Sequence, residues 1–242
     1  MKATPIKTRV VSIGDSLPSL LQTCLPNITS PSVIAISSKV VALCQKTVIP
    51  VGSTDRQKLF REEAEYYLSD ESSLFNFTVT IKNNSLVAAS GIDYAIGHYV
   101  LWPRRPQATA NVIRSHLRKQ VDFPVGVIIT DSRSQPLKRG TVGFSLAHSG
   151  FSALKNYIGS PDVHGETIGF KISNLLEGLA ATAVTVMGEG NERTPIVVIQ
   201  DIPGIQFQDH NPTAAELAEL NISLKDDLFA ELFKHVPWDS RP

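Results

Sequence analysis

The chain has 242 residues, enough to bury a full core as one large domain or two small ones. Hydrophobic residues make up 42% and charged ones 19%, and 23 Lys and Arg offset 23 Asp and Glu, so no global field favours nucleic acid or an anionic membrane. No apolar run approaches the ~20 residues that cross a bilayer. Charge at Lys7 and Arg9 falls where the apolar stretch of a signal peptide would lie. Cys24 and Cys44 could pair, but they form no disulfide framework and lack metal-ligand spacing. They are expected to be buried or half-buried thiols in a reducing cytoplasm.

Gly14-Asp15-Ser16 ahead of Leu17, Leu20 and Leu21 predicts a helix capped by Asp15 or Ser16 and ended by Pro26. Val33 to Ile36 reads as a buried strand. After Ser37-Ser38-Lys39, Val40 to Leu43 resumes the apolar pattern. Gln57 to Leu68 reads as a charged amphipathic helix. Phe75 to Ile81 alternates with period two, and Asn83-Asn84 turns it into Leu86-Val87-Ala88, a hairpin that delivers the chain to Asp93. Ala108 to Lys119 predicts a helix with Ala108, Val112, Ile113 and Leu117 inside and Arg114, Arg118 and Lys119 in water.

Val125 to Thr130 is the clearest central strand. Gly140, Gly143, Gly150, Gly159 and Gly165 then punctuate what reads as a loop-rich stretch with short strands. Leu175 to Met187 is an Ala-rich helix stopping near Gly188. Ile196 to Ile199 is another buried strand. Asn211-Pro212-Thr213 caps a helix over Ala214 to Leu220, and a second short helix lies near Asp226 to Phe233. Strict βαβ alternation is missing, so the expected class is α+β, a single domain over 1–242 with 211–242 a C-terminal helical tail.

Two carboxylates carry the chemistry. Asp93 follows the small residues Ala88-Ala89-Ser90-Gly91, and Asp131-Ser132 ends the Val125 strand. An apolar β-branched run needs no carboxylate at its end. Where two converge they can hold a divalent cation against a phosphate, because Mg²⁺ takes one or two carboxylates and fills its other positions with phosphate oxygens and water. The bland alternative for each is a turn or cap. Lys138-Arg139 could clamp a phosphate or carboxylate, or be a surface pair. Ser38-Lys39 suits phosphate or ribose, or forms a solvated kink between strands, and Lys7-Thr8-Arg9 is a weaker basic element.

No P-loop occurs, and Gly188-Glu189-Gly190 lacks the third glycine of a dinucleotide turn, so Gly188 to Thr194 reads as a helix C-cap and turn. The histidines show no metal spacing. His116 reads as exposed, and His148 stands out because it follows a glycine-rich strand. Glu177 could reach a site or lie on the surface of its helix.

Taken in order, Gly14-Asp15-Ser16-Leu17, Ser38-Lys39-Val40-Val41, Ser90-Gly91-Ile92-Asp93, Val127 to Ser132, Gly165 and Met187-Gly188 resemble one family over about Ile6 to Asp201. It is the γ-glutamyl ligases, typified by the enzyme that adds glutamate to the deazaflavin coenzyme F(420). Lys7-Thr8-Arg9, Ile81 to Asn84, Tyr99 to Pro103, Ala147 to Phe151, Met187 to Glu192, Phe207-Gln208-Asp209 and Asn211-Pro212-Thr213 look like its folate-metabolism branch.

The resemblance implies an α+β fold of mixed sheets and packed helices in an intertwined homodimer. It implies a ligase adding L-glutamate to the glutamate tail of folate through an acyl phosphate, with GTP or ATP and with Mg²⁺ or Mn²⁺. The alternatives are the deazaflavin precursor as acceptor, or a nucleotide-binding relative without catalysis. By resemblance Asp93 and Asp131 hold the first metal ion and Ser132 the second, with Gln206 or Gln208 completing it. Ser38 and Lys39 contact the nucleotide, with Lys7, Thr8 and Arg9 beside it. Lys138 and Arg139 steady a phosphate or the anionic tail. The chain departs from the family pattern in three places. D-x-S-N is Asp93-Tyr94-Ala95-Ile96, a usual lysine is Leu43, and a usual G-R is Ser134-Gln135. These changes leave GTP and ATP both open and argue mildly against the deazaflavin substrate.

Overall fold

The computed structural model describes residues 1–25, 28–68 and 77–240. Five strands, β1 (Lys2–Ile6), β2 (Ser32–Ser37), β9 (Val125–Ser134), β10 (Thr141–Ser149) and β13 (Ile196–Gln200), form the central sheet in the order β1-β13-β2-β9-β10. β2 and β9 are parallel, in register from Ser32↔Val125 to Ser37↔Thr130, and the other pairs are antiparallel. Side chains alternate between two cores. Ile34, Ile36, Val127 and Ile129 face α1 (Leu17–Cys24), α2 (Ser38–Gln45) and α4 (Pro106–Arg118). Val33, Ala35, Ile128 and Val197 face α5 (Leu175–Met187) through Leu176, Leu179 and Ala183. A strand covered on both faces must be apolar at every position, which is why β2 and β9 read as unbroken runs.

Smaller elements surround this sandwich. β4 (Tyr66–Leu68), β5 (Val79–Lys82), β6 (Ser85–Ala88) and β14 (Trp238–Ser240) form a sheet in the order β14-β4-β5-β6, beside α3 (Arg56–Glu63). Its β5–β6 hairpin turns on Asn83 and Asn84, with φ of 47° and 51°, the left-handed pair of a type I′ turn. β3 (Val48–Pro50), β7 (Asp93–Ala95) and β8 (His98–Val100) form a three-stranded sheet, and β11 (Leu154–Asn156) pairs with β12 (Ile172–Asn174). The tail carries α6 (Ala214–Glu219) and α7 (Ala230–Lys234), neither of which buries a residue. Mixed α and β elements in separate sheets match the expected class. No helix among the described residues is long and apolar enough to cross a membrane.

Of the two caps expected for α1, Ser16 is the one used, its side chain accepting from Ser19 N–H. Several other expectations need correction. Ser37-Ser38-Lys39 is no kink between strands: Ser37 is the N-cap of α2 and the next two residues form its first turn. The charged helix stops at Glu63, because Tyr66 and Tyr67 pair with Ile81 and Thr80. The stretch after Gly140 begins with a nine-residue strand, β10. Its Gly143 is a close-packing site and not a loop signal, since a Cβ there would stand 2.5 Å from the Val184 Cβ.

On α4 the buried stripe is Ala110, Ile113 and Leu117 with Arg114, while Ala108 and Val112 are exposed. Arg114 is drawn inward by acceptors from other segments: Nε donates to Val125 O and Nη2 to Gln208 O. The second tail helix is shorter than expected. Cys24 and Cys44 are free and half-buried. Pro26, Phe75 and Asn76 lie outside the described residues.

Candidate active site

The site grows from the end of the parallel pair. β2 stops pairing at Ser37↔Thr130, but β9 runs on against β10. Asp131 and Ser132 therefore stand just beyond the carboxyl end of β2, where α2 begins. Ligand groups favour this position in sheets with parallel strands. Ser37 offers no side-chain cap to α2, so the first N–H groups of that helix are left for another acceptor.

Asp93 arrives by a strained route. Ala89, Ser90 and Gly91 have φ of 52°, 54° and 67°, a left-handed turn that only glycine adopts without cost. Buried hydrogen bonds hold it: Ser90 N–H donates to Thr80 Oγ1 at 2.9 Å, and Ser90 Oγ–H to Phe60 O at 2.6 Å. Asp93 then opens β7, rather than ending a strand. Its Oδ2 lies 2.9 Å from Lys39 Nζ in α2.

Asp131 is satisfied from two sides. Trp102 Nε1–H donates to Oδ2 at 2.5 Å, and Ser132 N–H donates to Oδ1 at 2.8 Å. Burial still dominates, and with the negative charge of Asp93 it pushes the Asp131 carboxyl up to about 7 against those donors and Lys39. A carboxyl so placed favours a cation beside it.

Thr8, Arg9, Lys39, Asp93, Asp131 and Ser132 all line one cavity of about 390 Å³, whose far wall is the loop from Gly188 to Thr194. The loop is the C-cap and turn expected, with Gly188 at φ 76°. It also closes the cavity, because Thr8 N–H donates to Arg193 O at 2.9 Å.

The remaining candidates lie elsewhere. Ser38 is buried behind the wall, with Ser37 lining the cavity in its place, and Lys7 is exposed outside the lining. Lys138 and Arg139 are exposed in the turn joining β9 to β10 and do not line the cavity with the aspartates. Gln208 is not beside Ser132. Its Nε2 donates to Glu216 Oε1 at 2.6 Å, and with His148 it lines a different cavity of about 370 Å³. The Gln206 carbonyl is taken by Ser152 N–H. Glu177 accepts from Ser145 Oγ–H at 2.6 Å, a packing role. His148 is buried edge-on to Phe151 with no partner for Nδ1, and burial pushes it down to about 4. His116 is half-exposed.

Three residues of the site escape a reading of the sequence: Trp102, Glu189 and Arg193. A buried indole N–H usually finds a partner, which is the one signal Trp102 gives. Glu189 accepts from Ser132 Oγ–H at 3.4 Å and from Thr141 Oγ1–H at 3.3 Å. Nothing in the turn residues around Arg193 foretells its place.

The donor set fits a hard divalent cation. Among the described residues no group of three or more His, Cys, Asp or Glu is placed to hold a metal ion. Two carboxylates with the Ser132 hydroxyl are oxygen ligands of the number Mg²⁺ or Mn²⁺ takes when phosphate and water supply the rest.

A family model described as F420-0:Gamma-glutamyl ligase matches residues 5–201. A Methanopyrus kandleri protein named Coenzyme F420:L-glutamate ligase is 28% identical over 212 residues, 80% of this chain and 84% of its own length. A Methanococcus maripaludis protein of the same name is 31% identical over 194 residues, 73% of this chain and 78% of its own. One from Archaeoglobus fulgidus is 33% identical over 144 residues, 58% and 57% of the two chains. All three are named for coenzyme F420 and none for folate.

Proposed function

Because the chain belongs to the F420-0:gamma-glutamyl ligase family, a family of amide-forming ligases, we propose that it joins L-glutamate to a carboxylate-bearing acceptor at the expense of GTP or ATP. The observation that carries this reading is the convergence of Asp93 and Asp131 in one cavity with Lys39, Arg9 and the uncapped start of α2. In the first step an acceptor carboxylate oxygen attacks the γ-phosphorus, and the nucleoside diphosphate leaves. In the second the glutamate amine attacks the acyl carbon, phosphate leaves, and the nitrogen gives up a proton. A carboxylate is a poor acyl donor until phosphorylated, so the protein's task is positioning and charge neutralisation.

Lys39, Arg9 and Arg193 face the triphosphate charge, and the first N–H groups of α2 donate to phosphate oxygens. Asp93, Asp131 and Ser132 would hold Mg²⁺ or Mn²⁺. When bound, such an ion neutralises charge building on the transferred phosphoryl group. Lys138, Arg139 and Gln208 do not line this cavity in the single chain.

The description of the family, with the relatives' names, favours the deazaflavin precursor F420-0 as acceptor. Folate is the second reading, favoured by the departures noted above: apolar Leu43 lines the cavity, and Ile96 occupies the β7–β8 turn beyond Asp93. The proposal includes a homodimer, supported by nearly full exposure of Val163 and Phe170 beside the β11–β12 ribbon. A ligase assay with each acceptor, each triphosphate and Mg²⁺ tests the reading. The expected product gains the mass of one glutamyl residue, and absence of turnover in every combination refutes it.

A further inference from the structure

The two aspartates stand on segments remote in the chain, and a single side chain touches both segments. Trp102 is 5% exposed, and its Nε1–H donates to Asp131 Oδ2 at 2.5 Å. The same nitrogen lies against Gly91, two residues before Asp93, where a Cβ would come within 2.2 Å. The indole is itself held. Phe144 lies with its ring centroid 6.0 Å away, and Lys82 Nζ sits 5.0 Å from the ring centroid while donating to Glu63 Oε2 at 2.7 Å. An indole has one N–H and no acceptor, so this donor has a single direction. With Ser132 N–H on Oδ1, both oxygens of Asp131 have a fixed donor, which leaves the carboxylate little rotational freedom.

We propose that Trp102 is the positioning residue of the site: its N–H orients the Asp131 carboxylate, and its contact with Gly91 sets where Asp93 stands, so that the pair is preset for a divalent cation. This rests on reading the cavity as a metal and triphosphate site, and extends it to a residue that need touch neither ligand. Groups that orient ligating carboxylates act this way in metal sites generally.

The test uses the full chain without nucleotide. Labelled with 5-fluorotryptophan, the protein gives fluorine resonances for its two tryptophans, Trp102 and Trp238, assigned by Trp102→Phe and Trp238→Phe. Titration with Mg²⁺ is expected to move the Trp102 resonance and leave that of Trp238, whose indole donates to Phe233 O. Mn²⁺ affinity, read from the paramagnetic resonance of the free ion, should fall roughly 10–100-fold in Trp102→Phe. It should fall also in Gly91→Ala, which keeps the indole but pushes it aside, and stay unchanged in Trp238→Phe.

Wild-type protein that binds Mn²⁺ with no weaker binding in folded Trp102→Phe overturns the positioning role alone. Wild-type protein that binds no Mn²⁺ overturns the metal reading of the cavity and this proposal with it. If Trp102→Phe does not fold, the labelled wild type decides, since a Trp102 resonance unmoved by bound Mg²⁺ refutes the coupling.

Discussion

Asp131→Asn should cost the protein its activity and make it more stable. Burial lifts the Asp131 carboxyl from 3.8 to about 7, and a difference of that size between folded and unfolded chains is worth roughly 4 kcal/mol. The folded chain holds the proton more tightly than the unfolded one. The destabilising term is therefore absent below about pH 4, grows between pH 4 and 7, and is constant above. Asn keeps an oxygen for Trp102 N–H but offers no second acceptor to Ser132 N–H, a loss of about 1 kcal/mol. The variant should be about 3 kcal/mol more stable than wild type at pH 8, melting roughly 6–12 °C higher.

Urea unfolding of both proteins in chelator from pH 4 to 8 measures this as the difference between them. Saturating Mg²⁺ should then close the gap by stabilising wild type alone, by about 2.7 kcal/mol at a hundred times the dissociation constant, while ligase turnover is lost in the variant. A difference independent of pH, or a variant less stable than wild type at pH 8, refutes the account of Asp131.

His148 works with the opposite sign. Its folded pKa of about 4 lies below the ordinary 6.5, so its contribution is intact above pH 6.5 and lost as pH falls toward 4, by roughly 3 kcal/mol. Melting of His148→Phe against pH should lack that acid loss, and in wild type the Asp131 and His148 slopes should largely cancel between pH 4 and 6.5. Arg114→Met removes charged donors from Val125 O, Gln208 O and Asn211 Oδ1. It should lower stability by about 3 kcal/mol and the melting temperature by roughly 6–12 °C, measured by calorimetry; a neutral result would mean the buried guanidinium does no net work.

Local rules made much of the fold legible. β2 and β9 appear as apolar runs because both faces of each strand are covered. α5 covers the expected Leu175 to Met187 and stops at Gly188, and Asn83-Asn84 sets its hairpin because Asn tolerates a left-handed backbone. Short strands such as β4, β7 and β8 were illegible, since three residues carry no period and exist only through their partners.

The same division runs through the site. Residue type and strand context were enough to single out Asp93, Asp131, Ser132 and Lys39, because carboxylates, a hydroxyl and an ammionium beside apolar strands are chemically conspicuous. The sequence by itself determined which chemistry the chain could offer and the family it resembles. Only the tertiary structure decided that Trp102 donates to Asp131, that Lys39 pairs with Asp93, that Arg114 is buried, and that Lys138, Arg139 and Gln208 stand apart. A hydrogen bond or a buried charge depends on which groups distant segments bring within about 3 Å, and spacing along the chain does not encode that distance.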